Sequence, residues 1–250
     1  MNNKEKFYIA GCVFTRDYPE LSKKIQKYIK NRYGYQIIRC CVPQYKVLEF
    51  ENAMQGKDAD QWKLITHYKE FKDGDIMISI CHNCSAIFEE QKPRIKRMSI
   101  WELILRDDDF KFPDYQQEQV TIQDCWRSKE NYEEQEAVRQ LMQKMNINIV
   151  EIEGNHDKTS FCGISLYQKQ PLRNAKLAPR RFVEKAEGKF IPHADEEKKD
   201  LMQKYCSQFT TNKIIAYCHY CVAGLQAGGV GGIHLAELLF EPEKYLRTKK

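Results

Sequence analysis

Short apolar runs alternate with amphipathic stretches along the first half of this chain. The run "KFYIAGC" (6–12) predicts a strand ending at Cys12. It is followed by "DYPELSKKIQKYIKNRYG" (17–34), whose apolar positions keep helical spacing and whose Gly34 is a stop signal. "YQIIRCC" (35–41) predicts a second strand, ending at Cys40 and Cys41. "DADQWKLITHYKEF" (58–71) has a helical pattern, and "DIMISI" (75–80) predicts a third strand that delivers Cys81 at its carboxyl end. This βαβαβ alternation points to a parallel sheet flanked by helices.

The second half repeats the plan. "QVTIQDC" (119–125) reads as a strand ending at Cys125, "NYEEQEAVRQLMQKM" (131–145) as an amphipathic helix and "INIVEIEG" (147–154) as a strand. "SFCG" (160–163) carries Cys162, and "NKIIAYC" (212–218) is a strand that delivers Cys218. Self-similarity over roughly 110 residues implies a duplicated unit and not a short-repeat solenoid. The expected fold class is therefore α/β: two tandem, pseudo-symmetric βαβ (Rossmann-like) units with parallel sheets and metal sites at the strand carboxyl ends. The expected domains are 1–112 and 113–250, with the seam in the polar, proline-bearing "RDDDFKFPDYQQ" (106–117). The second unit carries an insertion at 164–192 with seven Lys or Arg against two Glu, which reads as a solvated loop or as a docking surface for an acidic partner. "GLQAGGVGGIHLAELLF" (224–240) is a Gly-rich turn before a short helix; it lacks the Gly-Lys-Ser/Thr of a P-loop and reads as tight packing.

Composition narrows the class. With 42% apolar residues the 250-residue chain can bury a core, and 30% charged residues suit a solvated surface. No apolar run reaches the roughly 20 residues of a bilayer span. "MNNKEKFYIAGC" lacks the features of a signal peptide, so a cytoplasmic location is expected. A net charge of +5, with basic and acidic residues mixed, argues against a nucleic-acid partner. Ten cysteines change the picture more. In a reducing compartment a Cys-Cys pair and two C-x-x-C motifs read as metal or redox sites, not as disulfides.

In a parallel α/β sheet the ligand crevice lies outside the carboxyl ends of the strands. Cys12, Cys41 and Cys81 are all expected there, with Cys40 and Cys84 adjacent, giving five thiolates for one site. Tetrahedral zinc takes four, and so does an ordinary iron–sulfur cubane. A fifth ligand calls for something else.

This pattern (Cys12, Cys40-Cys41 and Cys81-x-x-Cys84) resembles the duplicated cysteine-rich CCG domain of the B subunit of heterodisulfide reductase and its relatives in glycolate, lactate-utilisation and glycerol-3-phosphate oxidation systems. The resemblance spans essentially the whole chain. It includes "DCWRSKENYEEQEAVRQLM", like the opening of the family's second domain, and "GIHLAELL", like its closing helix. It implies a noncubane four-iron four-sulfur cluster held by Cys12, Cys40, Cys41, Cys81 and Cys84. Site one departs from the usual Cys-Cys-Gly with "CCVP" but keeps all five cysteines. Site two reads "FCG", with Phe161 where the first cysteine of the pair belongs. That leaves Cys125, Cys162, Cys218 and Cys221, a set that suits a cubane, a modified cluster or zinc.

The resemblance further implies an oxidoreductase, of disulfide reductase type, that reduces a small disulfide or thiol substrate. Cys41, Cys81 and His82 are the catalytic candidates. No C-x-x-C-x-x-C ferredoxin motif is present, so electrons are expected from an iron–sulfur or flavin subunit. The alternative reading is a metal-binding electron-transfer or scaffold subunit of a larger complex. A metal-free thiol sensor using the C-x-x-C pairs is a third reading, the weakest because of the Cys40-Cys41 pair. His82 and His219 hold the same place in both C-H-x-C motifs, as proton donors or as plain surface residues at a helix start. His156 and His234 carry no stronger signal. Asp124 and Arg127 flank Cys125 and suit either substrate binding or an ordinary salt bridge, and Cys206 reads as a core thiol.

Overall fold

A computed structural model describes residues 4–40, 51–66 and 69–246. The chain divides into two compact units, Met1–Leu103 and Ile104–Lys250. The fold is α/β, and each unit is built on its own four-stranded, all-parallel sheet. Residues 106–117 lie within the second unit, which their side chains explain. Phe110 packs edge-on against Phe240 at 5.6 Å, and the Tyr115 hydroxyl donates to the Leu238 carbonyl at 2.9 Å.

The first sheet comprises β1 (Lys6–Ile9), β2 (Gln36–Ile38), β3 (Ile76–Ser79) and β4 (Lys96–Ser99), in the order β2-β1-β3-β4. The second comprises β5 (Glu118–Gln123), β6 (Ile147–Val150), β7 (Lys213–Ala216) and β8 (Gly231–His234), in the order β6-β5-β7-β8. The two orders are the same once the numbering is offset. The central strands are buried on both faces, as a parallel sheet covered by helices requires, so they read as near-continuous apolar runs. Phe7, Tyr8 and Ile9 of β1 and Met77 and Ile78 of β3 are all core residues.

Local chemistry sets the connecting helices. Helix Pro19–Tyr33 has proline in its first turn, buries Leu21, Ser22, Ile25 and Ile29 along one face, and stops at Gly34 in the left-handed conformation. The helix expected over 58–71 is instead Gly56–Leu64. Thr66 leaves the helical pattern to form a parallel bridge with Ile38, and its carbonyl accepts the Arg39 N–H at 2.9 Å.

Of the four edge strands, β4 and β8 were not legible as strands. β4 is polar "KRMS", and β8 contains Gly231 and Gly232. A Cβ on Gly231 would lie 2.6 Å from the Asn212 carbonyl oxygen, and one on Gly232 would lie 2.7 Å from Leu225 Cβ. Glycine here admits a close approach of helix to sheet. After β8, His234 caps helix Leu235–Phe240: its Nδ1 accepts the Ala236 N–H at 3.2 Å, and Glu237 accepts the His234 N–H at 3.0 Å. Among the described residues no helix is long and apolar enough to cross a membrane.

Gly232→Ala should therefore destabilise the second unit by about 1–3 kcal/mol, the usual cost of overpacking. Urea unfolding followed by tryptophan fluorescence measures it, and an unchanged midpoint would contradict the close approach at Leu225.

Candidate metal centres

In a sheet ordered β2-β1-β3-β4, the chain leaves β1 toward one side and returns as β3 on the other. The loops part between those two strands, and this switch point is where open α/β sheets hold ligands. Cys12 follows β1 and Cys81 follows β3 in the first unit; Cys125 follows β5 and Cys218 follows β7 in the second. Both C-x-x-C motifs then use the same device. Cys81 and Cys218 are the N-cap residues of helices His82–Gln91 and His219–Ala227, and Cys84 and Cys221 lie in the first turn of each. Neither cap side chain is engaged in a cap hydrogen bond, and the positive end of the helix dipole favours a thiolate at both positions.

The second unit gathers four thiols. Cys125, Cys162, Cys218 and Cys221 are fully or almost fully buried; the Cys125 and Cys218 sulfurs lie within 4.8 Å of each other, and Cys162 and Cys221 are near enough to act on the Cys125 thiol. Burial and these neighbours push the Cys125 thiol well above its ordinary value. Burial acts the same way on Cys162, but the Cys125 hydrogen bond and the Arg127 guanidinium outweigh it and hold Cys162 at about 7. Four buried soft donors are the ligand types that a tetrahedral metal ion or a cubane takes.

Cys162 lies well beyond the end of β6, so something must fix it. That element is Asp124, wholly buried at the end of β5. Its carboxylate accepts Arg139 Nη1 and Nη2 at 3.2 and 2.9 Å, the His156 N–H at 2.8 Å and the Tyr217 hydroxyl at 2.8 Å. Its backbone N–H donates to Asn155 Oδ1 at 3.0 Å, and its carbonyl accepts the Thr159 hydroxyl at 3.1 Å. The 155–159 loop is thereby tied to β5 immediately before Phe161 and Cys162. Of the two readings of Asp124, the ion pair is the one seen: it bridges to Arg139, which also holds Glu151 at 2.6 Å.

Phe161 is core. Its ring stacks on Tyr205 at 4.3 Å and 15°, its carbonyl accepts the Trp126 N–H at 2.7 Å, and the Tyr205 hydroxyl donates to Gln123 at 2.7 Å. Gly163 follows with φ of 57° and passes so close to helix His219–Ala227 that a Cβ would overlap the Tyr220 carbonyl. Gly224 on that helix packs directly on Gly163.

The basic insertion is folded against this site, which corrects its reading as a solvated loop. Its short helices Leu172–Leu177 and Pro179–Phe182 bury Asn174 and Phe182, and Phe182 and Phe190 pack on Trp126 at 6.4 and 5.4 Å. Two of its cations, Arg181 and Lys185, pair with Glu130. Arg127, which belongs to β5's exit loop, is buried under these aromatics. Burial opposes its charge, yet Cys162, Cys218, Cys125 and Tyr220 raise its pKa further.

In the first unit, Cys40, Cys81 and Cys84 are buried and Cys12 is half-buried. Register sets them close: Ile9 pairs with both Ile38 and Ser79, so the chain leaves β1, β2 and β3 at one level. A Cβ on Gly11 would meet Cys81 Cβ at 3.3 Å. Ser79 pins the turn by accepting the Cys81 N–H at 3.0 Å. Cys41 lies outside the described residues. Tyr8 of β1 was not singled out from sequence, where nothing separates it from other apolar strand residues. Among the described residues its buried hydroxyl has no hydrogen-bond partner, and burial, Cys81 and Cys84 keep the phenol protonated.

His82 and His219 are buried, not surface residues, and each is the first residue of the helix that Cys81 or Cys218 caps. His156 is exposed, with its backbone bound to Asp124. Cys206 ends helix Asp195–Cys206 against Leu225 and Gly228, and burial pushes its thiol up to about 11.

No family model and no curated protein matches the chain. Among solved structures it is similar to glutamate racemase isoform RacE1 from Bacillus anthracis, with 11% identity, 97% of this chain and 80% of that one covered, and a TM-score of 0.33. It is also similar to an aspartate racemase homologue from Pyrococcus horikoshii OT3, with 12% identity, 96% and 97% covered, and a TM-score of 0.30. Likeness at this level carries no argument about chemistry.

Asp124→Ala should cost the second unit about 3–5 kcal/mol, because it leaves the His156 N–H, the Tyr217 hydroxyl and one side of the Arg139 guanidinium without their buried acceptor, with only Glu151 left to pair with Arg139. It should also free the Cys162 loop, so that anaerobic alkylation of Cys162 in metal-free protein accelerates. Stability and alkylation rate both equal to wild type would contradict the tethering role.

Proposed function

We propose that the protein is an iron–sulfur oxidoreductase resembling the catalytic B subunit of heterodisulfide reductase. Cys12, Cys40, Cys41, Cys81 and Cys84 would hold a noncubane four-iron four-sulfur cluster in the first unit. The observation that supports this most is the placement of cysteines after the switch-point strands of two sheets with one shared strand order. A cluster held there would supply electrons singly and a metal to which a substrate sulfur could bind.

The reaction is reductive cleavage of a disulfide: two electrons and two protons convert RSSR into two RSH, and the S–S bond is the one broken. The reductant is an iron–sulfur or flavin partner. Cys81 and Cys84 carry their sulfurs on a helix N-terminus, and Ser79 holds the Cys81 turn in place. His82, next in the chain and buried, is the candidate proton donor to a departing thiolate. Tyr8 leaves a protonated hydroxyl beside Cys81 and Cys84.

The second unit's role differs. With Phe161 stacked on Tyr205, its ligand set is four thiols, which supports an electron-carrying cubane or a structural zinc ion. If both units were structural, the protein would be a scaffold subunit of a larger oxidoreductase.

Protein purified without oxygen should contain iron and acid-labile sulfide and show a low-temperature paramagnetic signal. Cys41→Ser and Cys81→Ser should each remove or alter that signal. Reduced viologen should drive turnover of a low-molecular-weight disulfide in the wild type. An unchanged signal and iron content in both variants would refute the cluster assignment, and a cysteine-dependent signal without disulfide turnover would favour the scaffold reading.

A further inference from the structure

Three arginines of the second unit are buried: Arg127, Arg139 and Arg181. Arg139 meets Asp124 and Glu151, and Arg181 meets Glu130. Arg127 differs. Its Nη2 donates to Ser165 Oγ at 3.2 Å, and among the described residues its Nε and Nη1 have no hydrogen-bond partner and no carboxylate pairs with it. Only 4% of the residue is exposed, so water does not complete the set.

Three rings surround the guanidinium: Tyr220 at 4.8 Å, Phe190 at 5.7 Å and Phe182 at 5.8 Å. Ring faces attract the positive charge but accept poorly from N–H groups that lie in the guanidinium plane. A buried cation with unused donors calls for an anion. The groups at hand are the thiols. Ser165, the one hydrogen-bond partner, also donates to the Cys162 carbonyl at 2.6 Å and reaches Cys162 Sγ at 3.5 Å. A divalent ion held by four thiolates leaves a net dianion in the same interior, the counter-charge that Arg127 lacks.

We infer that Arg127 is the counter-cation of the second-unit metal centre, donating N–H···S hydrogen bonds to its metal-bound cysteines and strengthening its hold on the metal. This gives the basic insertion a physical task. Ser165, Phe182 and Phe190 belong to it: the two rings keep Arg127 dry, and Ser165, which also reaches Cys162 Sγ, accepts from its Nη2. Arg127 is a positioning residue: it acts through the cysteines and needs no contact with substrate. The inference holds for zinc or a cubane alike and is independent of the disulfide chemistry proposed for the first unit.

The test uses the full-length metal-free chain, titrated anaerobically with Co(II) against a chelator. The thiolate-to-cobalt charge-transfer band reports occupancy, and the share lost in Cys218→Ser is assigned to the second unit. Arg127→Gln should weaken that share about 10–100-fold, as loss of an outer partner of a metal ligand does. Arg127→Lys, which keeps the charge, should fall between Gln and wild type. The unfolding midpoint of metal-free Arg127→Gln should not drop, because the substitution removes a buried cation that no carboxylate among the described residues balances, and the Gln amide can still reach Ser165. Equal cobalt affinity in wild type and Arg127→Gln would overturn the inference. So would a fall in metal-free stability large enough to account for the lost affinity, which would mark Arg127 as a packing residue.

Discussion

Asp124 has no exposed surface, and its carboxylate receives donors from three separate parts of the chain: the Arg139 guanidinium, the His156 backbone and the Tyr217 phenol. Burying a carboxylate is costly unless its lone pairs are met, and here all the partners lie around one strand end. The result is geometric. Tyr217 immediately precedes Cys218, His156 lies in the loop that leads to Cys162, and Asp124 itself precedes Cys125. One carboxylate thus ties together the three chain segments that carry three of the four thiols, and the fourth, Cys221, follows on the helix that Cys218 caps.

Close packing completes the arrangement. Gly163 lies where a side chain would overlap the Tyr220 carbonyl, and Gly224 admits it from the other side. The cysteine after Phe161 is therefore pressed against the helix that bears Cys221. Phe161, immediately before Cys162, is committed to the aromatic core with Tyr205. The two units share a strand order but differ in what surrounds their cysteines: Tyr8 and Ser79 in the first, Arg127 and the folded insertion in the second.

Much of this was legible in the sequence, for identifiable reasons. Central parallel strands are buried on both faces, so "KFYI", "IMIS", "VTIQ" and "KIIA" stand out as short runs, and the cysteines at their ends locate the crevice. Two edge strands lack that signature: β4 is half-solvated and β8 owes its glycines to Asn212 and Leu225, not to any strand preference, whereas the edge strands β2 and β6 keep an apolar run. The helix over 58–71 was overextended because periodicity cannot see the bridge from Thr66 to Ile38. The insertion's charge suggested solvent, yet Phe182 and Phe190 decide its fate by covering Trp126. Arg127 and Asp124 flank the same cysteine with opposite charges and suggested a local pair. Only three-dimensional placement separates them, one to Arg139 and the other to Ser165 and the thiols.

X-ray absorption at the iron and zinc edges of anaerobically purified protein tests the central claim, that the strand-end cysteines of each unit bind metal. The account predicts a first shell of sulfur, with metal retained in both units and the second-unit share lost in Cys125→Ser. A first shell dominated by oxygen or nitrogen, or protein that carries no metal after anaerobic reconstitution with iron, sulfide and zinc, would contradict it.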